Sequence, residues 1–153
     1  MTNNKYYEVQ KLDSIWPLLV LAVTLVINCL LYFYLRYDDL IVFYCSMATT
    51  ILMCSFLLSM RLYTRIDENG VHYRFFPFQF KWHTIRHKDI KEHNIRKISP
   101  WSEYGGYGVR NGKSGKAYII AGNDGLQLTL QNGNSILIGT NQPDKIRSAV
   151  SVK

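Results

Sequence analysis

Two apolar runs, IWPLLVLAVTLVINCLLYFYL at 15–35 and LIVFYCSMATTILMCSFLLSM at 40–60, decide how the rest of the chain is read. Each is about 20 residues long, enough at 1.5 Å rise per residue to cross a hydrocarbon core of roughly 30 Å. Only Arg36, Tyr37, Asp38 and Asp39 separate them, so the reading is an antiparallel helical hairpin with almost nothing exposed at its tip. The first run exceeds the roughly 7–15 residues of a signal-peptide core, no small-x-small cleavage site follows it, and a second run begins at once, which marks it as a mature helix. Asp13 or Ser14 can cap that helix and Pro17 fits its first turn, where no backbone donor is lost. Trp16 at one end and Tyr32, Tyr34 and Tyr37 at the other suit the headgroup level.

A mean hydropathy near zero averages two unlike parts, and so does the net charge of +7. Residues 1–60 carry three basic and four acidic side chains, net −1, whereas 61–153 carry 15 basic and 7 acidic, net +8. The organisation expected is an N-terminal segment 1–14, a transmembrane hairpin 15–60 and a soluble domain 61–153. Lys5 and Lys11 precede the first run and Arg61, Arg65 and Arg74 follow the second, while the loop offers one Arg beside two Asp. The excess of basic residues outside the loop places both termini in the cytoplasm. A basic domain held at a bilayer is drawn to anionic headgroups, although the same charge also arises in cytoplasmic domains with no lipid-binding role.

Ser46, Thr50 and Cys54 recur every fourth residue, a stripe of small side chains that lets another helix approach closely. Pairing across the tight loop brings Asn28 to the level of Met47, within a turn of Ser46 and Thr50. An amide in lipid is expected to find an interhelical partner there; a transport path or an oligomer contact are the other readings of Asn28. Cys29, Cys45 and Cys54 lie within the spans at no metal-like spacing and read as packing residues.

Beyond residue 61 the pattern is that of short strands between turn signals, at 62–66, 71–78, 80–86, 91–98, 117–121, 126–130 and 135–139. Asn69-Gly70 is expected at the centre of a type I′ hairpin, and the turns at 122–125 and 131–134 are expected to join the last three strands as a meander. Leu126, Leu128, Leu130, Ile136 and Ile138 alternate to one face, with Gln127, Thr129, Leu137 and Gly139 on the other. Pro143 and Asp144 start a helix running to about residue 150.

The segments ENGVHYRFFPF at 68–78, TIRHKDI at 84–90, YGGYGVR at 104–110 and AGNDGLQLTLQNGNSILIGT at 121–140 resemble small membrane-anchored bacterial proteins with a pleckstrin-homology-like domain. The resemblance implies an α+β fold: a two-helix transmembrane hairpin followed by a bent antiparallel β-barrel of about seven strands, capped by a C-terminal helix. It also implies a multi-pass protein of the bacterial inner membrane, and it brings no catalytic residue.

The glycine-dense loop 104–108 lacks the Lys-Ser/Thr ending of a P-loop and is not GxGxxG between strand and helix, so no nucleotide fingerprint applies. It reads as a strand bend, with Trp101, Tyr104 and Tyr107 forming a binding rim and Arg110, Lys113 and Lys116 beyond. His83 and His87 fall on or beside a strand, too far apart to share a metal, and His72 and His93 read as isolated on a solvated face. No paired carboxylates, no nucleophile with its base and no nucleic-acid recognition motif emerge. The expected role is therefore a non-enzymatic, cofactor-free binding module for a protein partner or the membrane surface, with weak anionic-lipid contact and no nucleic acid. The alternative is an accessory subunit of a larger membrane complex that uses the helix stripe as its interaction surface, and a homo-oligomer is left open.

Overall fold

A computed structural model of the chain describes residues 6–12, 15–35, 40–112 and 115–151. It falls into two compact units: the helices within 12–60, and a β-rich unit made of residues up to 11 together with 61 onward. Asp13, Ser14, the loop 36–39, Lys5 and Lys113, on which several of the expectations rest, lie outside the described residues.

In the helical unit, α1 (Ile15–Leu35) and α2 (Leu40–Ser59) are long and apolar enough to cross a membrane. Only 6% of each apolar window is buried, so these helices turn their Leu, Ile, Val and Phe side chains outward, a surface suited to lipid and unfavourable in water. The helices run antiparallel. The Ser46 hydroxyl donates to Asn28 Oδ1, Asn28 Nδ2 donates to the Thr24 backbone carbonyl at 2.8 Å, and the Cys54 thiol points to the Pro17 backbone carbonyl at 3.8 Å. Thr50 donates to the Ser46 carbonyl at 2.9 Å, and both Thr50 and Cys54 are buried. The small-residue stripe thus faces α1.

The β-rich unit holds two sheets. One contains four strands in the order β1 (Tyr6–Lys11), β2 (Arg61–Asp67), β3 (Gly70–Phe76) and β4 (His83–Arg86). After a single 3-10 turn at His87–Asp89 come β5 (Ile90–Lys97), α3 (Pro100–Tyr104), β6 (Gly108–Gly112), β7 (Gly115–Ile119), β8 (Asp124–Leu130), β9 (Ser135–Thr140) and α4 (Pro143–Ser151). The second sheet has the order β5-β8-β9-β7-β6. Among the described residues these are two open sheets with nine strands, not a closed barrel of about seven, so the barrel expectation is corrected.

Three further corrections have local causes. The segment set apart at 1–14 supplies β1, which pairs along its length with β2 from Tyr6↔Ile66 to Lys11↔Arg61. The first hairpin turns at Glu68-Asn69, one residue earlier than expected, with Asp67 opposite Gly70. Gly70 is needed within β3 itself: its φ is +153° and a Cβ there would run into the Ile85 carbonyl oxygen of the neighbouring strand. Finally, β7, β8 and β9 are not a meander, because β9 inserts between β8 and β7 and pairs parallel to β7 at Lys116↔Ile136 through Tyr118↔Ile138.

This order buries the central strands of the second sheet on both faces, while the edge strands β5 and β6 stay largely exposed. Leu126, Leu128 and Ile138 are fully buried on the expected face, while Leu137, on the other, is equally buried with Ile98, Tyr104, Ala117 and Ile119. Leu130 and Ile136 are only half-buried. α3 delivers Tyr104 to that second cluster. It is a Ser99, Pro100 start with Gly105 in the left-handed conformation at its end, φ +71°, and those start and stop residues were present in the sequence.

The inner face of the first sheet is polar where β1 lies. Glu8 is buried, and its carboxylate accepts hydrogen bonds from the Tyr6 hydroxyl, from Thr140 Oγ1 at 2.8 Å and from the Asn141 backbone N–H at 2.8 Å. Gln10 Nε2 donates to the Gly139 carbonyl at 2.6 Å. Burial, then the bond to Glu8, push the Tyr6 phenol well above its ordinary range, so it stays a donor. The strand before the helices is thereby tied to the end of β9 and the approach to α4. Truncating Glu8 to Ala orphans these donors, and equilibrium unfolding of the full chain in detergent should show a loss of about 3 kcal/mol. Glu8→Gln, which keeps an acceptor, should lose less.

Candidate functional site

The sheets leave a cleft of about 480 Å³ where the middle of β3 and the start of β4 face β7, β9 and the 131–134 turn. Tyr73 forms one wall, with its ring centroid 4.7 Å from that of Tyr118 on β7, and His83 stacks on Tyr73 at 5.5 Å and 21°. The half-buried Leu130 and Ile136 supply apolar lining, and the exposed Lys116 stands at the margin. Burial, and then the Tyr118 hydroxyl beside it, push the Tyr73 phenol well above its ordinary range, keeping it protonated at any physiological pH.

Gln79 enters the cleft from the turn after β3. Its backbone N–H donates to the Phe75 carbonyl at 2.7 Å and its Nε2 reaches the Tyr118 hydroxyl at 3.4 Å, but its buried Oε1 accepts no hydrogen bond among the described residues. A buried acceptor without a donor costs about 1–3 kcal/mol. Gly115, φ +95°, lets β7 start against β9, because a Cβ there would strike the Ser135 carbonyl oxygen. That close approach brings Lys116 to the cleft.

The expected rim is divided by the structure. Trp101 is exposed and meets the Tyr107 ring edge-on at 6.3 Å, and Arg110 is exposed with its Nε donating to the Tyr107 carbonyl at 3.1 Å. Tyr104 is core, its hydroxyl accepting from Arg96 at 3.3 Å. Lys116 belongs to the cleft. Arg96 also pairs with Glu103 at 2.7 Å, and the Ser99 N–H, followed by Arg96, holds the Glu103 carboxyl below its usual range.

The histidines are not all on a solvated face. His72 Nε2 lies 2.9 Å from Asp67 Oδ1 and its Nδ1 2.8 Å from Thr84 Oγ1, while His87 Nε2 donates to the Asp67 carbonyl at 2.9 Å. Asp67 also accepts from Arg65 at 2.7 Å and from the Asn69 N–H at 2.9 Å. Cross-strand pairing at Arg65↔His72 creates the cluster, which linear spacing alone does not reveal. His83 and His93 are exposed.

Set against family models, curated proteins and solved structures, the chain matches none of them. What can be stated is an α+β chain with two helices able to cross a membrane and two sheets with a C-terminal helix.

Burial alone would raise the Asp67 carboxyl, but the bonds from Arg65, His72 and Asn69 outweigh it and hold it well below the ordinary range. A carboxyl depressed in the folded state stabilises fully above its unfolded value of about 4 and loses that contribution as pH falls below it. Asp67→Asn should therefore cost about 2 kcal/mol at pH 7, and denaturant curves of wild type and variant should converge as pH drops below that of an ordinary carboxyl.

Proposed function

We propose that this chain is a membrane-anchored, non-enzymatic binding module whose β-rich unit receives part of a protein partner, serving as a pleckstrin-homology-like platform at the bacterial inner membrane. The observation that carries the reading is the cleft beside Tyr73 and Tyr118, with a Gln79 acceptor inside it that has no donor among the described residues and Lys116 at its mouth. Aromatic walls, a few convergent polar groups and an unmet hydrogen-bond acceptor suit a segment that carries its own N–H donors, such as an extended peptide. As an accessory subunit the chain would need a helix surface other than Ser46, Thr50 and Cys54, since that stripe already faces α1.

Topology follows from the same reading. Antiparallel pairing of Lys11 with Arg61 supports both flanks of the helices lying on one side of a bilayer, and the basic excess favours the cytoplasmic side. Reporters fused before Met1 and after Lys153 should both be active in the cytoplasm only; a periplasmic signal from either rejects the orientation.

A photo-crosslinking residue at Lys116 of the full chain in cells should capture a discrete partner that the same probe at Lys145 on α4 does not. Gln79→Leu should weaken that capture. Adducts formed only from a probe at Leu52 on α2 would favour the accessory-subunit reading instead.

A further inference from the structure

The outer face of the first sheet carries exposed aromatic and basic side chains that do not line the cleft. Cross-strand register lines up Val9, Tyr63 and Arg74 in one row and Lys11, Arg61 and Phe76 in the next. Trp82, just before β4, joins the first row: the Arg74 guanidinium lies 4.4 Å from the Tyr63 ring centroid and 5.1 Å from that of Trp82, with the two rings 6.2 Å apart. From the second row the chain turns through FPFQFKW, residues 76–82. Phe78 is 60% exposed, Phe80 73% and Trp82 40%, and Phe80 stands edge-on to Phe76 at 5.7 Å.

Large aromatic side chains left that open on one short turn mark an interaction surface. Their company identifies its chemistry. Lys11, Arg61 and Lys81 are exposed, and residues 60–66 and 74–83 contain no Asp or Glu. Aromatic rings with basic neighbours and no acid are the composition of the membrane–water interface, where rings sit at the headgroup level and cations meet anionic lipid. Chain continuity supplies the position. Met60 alone separates Arg61 from Ser59, the last residue of α2, so two Cα–Cα steps of about 3.8 Å are the greatest reach from the helix end to this row.

We infer that Phe78, Phe80 and Lys81 of the 76–82 turn, with Arg61 and the Tyr63–Arg74–Trp82 cluster, seat the β-rich unit in the headgroup region of an anionic bilayer. The inference rests on the reading that α1 and α2 cross that bilayer. Seating by this face commits the outer surface of the first sheet to lipid and leaves the cleft, on its inner side, to the partner.

The three tryptophans of the chain allow the inference and the anchoring reading to fail separately. Full-length proteins retaining Trp82, Trp16 or Trp101 alone, with Phe at the other two positions, are placed in nanodiscs of phosphatidylcholine and phosphatidylglycerol, with and without bromine near the glycerol end of the acyl chains. Trp82 emission should be quenched to an extent comparable with Trp16, and Trp101 emission should be unchanged. Adding Phe80→Ser to the Trp82-only protein should reduce the quenching, and this exposed position can be changed without emptying the core. Quenching of Trp16 with none at Trp82 overturns the inference and leaves the membrane anchor standing. Quenching of neither overturns both, and equal quenching of Trp101 overturns the assignment to this face.

Discussion

The Glu8 carboxylate, buried against Thr140 and Asn141, joins the first strand of the β-rich unit to its last. A charge out of water is stable only where enough donors converge on it, and here the donors come from opposite ends of the chain. Neither end can complete its hydrogen bonds without the other. The consequence is that the helices are an insertion between two adjacent strands and not an appendage in front of a domain. An antiparallel helix pair brings its own ends together, which is what neighbouring antiparallel strands require. The roughly 50 residues between Lys11 and Arg61 therefore impose little loop-closure entropy once the helices have formed.

The second sheet obtains its stability differently. Inserting β9 between β8 and β7 makes it the centre of five strands, and both its faces are covered. That explains why Leu137 is as fully buried as Ile138 although their side chains point to opposite faces. Where the coverage ends, Leu130 and Ile136 are left partly open and the cleft begins. The candidate site is thus the unfilled margin of the core, where aromatic side chains and an amide oxygen with no donor among the described residues are held by strands on either side.

The basic excess also acquires structure. Part of it is consumed internally, Arg65 at Asp67 and Arg96 at Glu103 and Tyr104. Another part lies on the outer face of the first sheet, where the Arg74 guanidinium packs against the adjoining Tyr63 and Trp82 rings. A guanidinium against aromatic rings sheds part of its water at little cost, which suits a surface that leaves bulk solvent without entering a dry core.

The amino-acid sequence by itself determined the helices, their antiparallel pairing and the approach of Asn28 to Ser46, because length, apolarity and a four-residue link leave few alternatives. It also determined most strands, the inward face of Leu126, Leu128 and Ile138, and the final helix, all of which follow from local periodicity and turn residues. It did not reveal β1, whose inner row of Tyr6, Glu8 and Gln10 is polar and only makes sense once Thr140, Asn141 and Gly139 are beside it. Nor did it reveal the parallel pairing of β7 with β9, the cluster at Asp67 or the cleft. These were decided by the tertiary structure, since each depends on which distant strands become neighbours, and hydrogen-bond donors supplied from far along the chain leave no periodic trace in it.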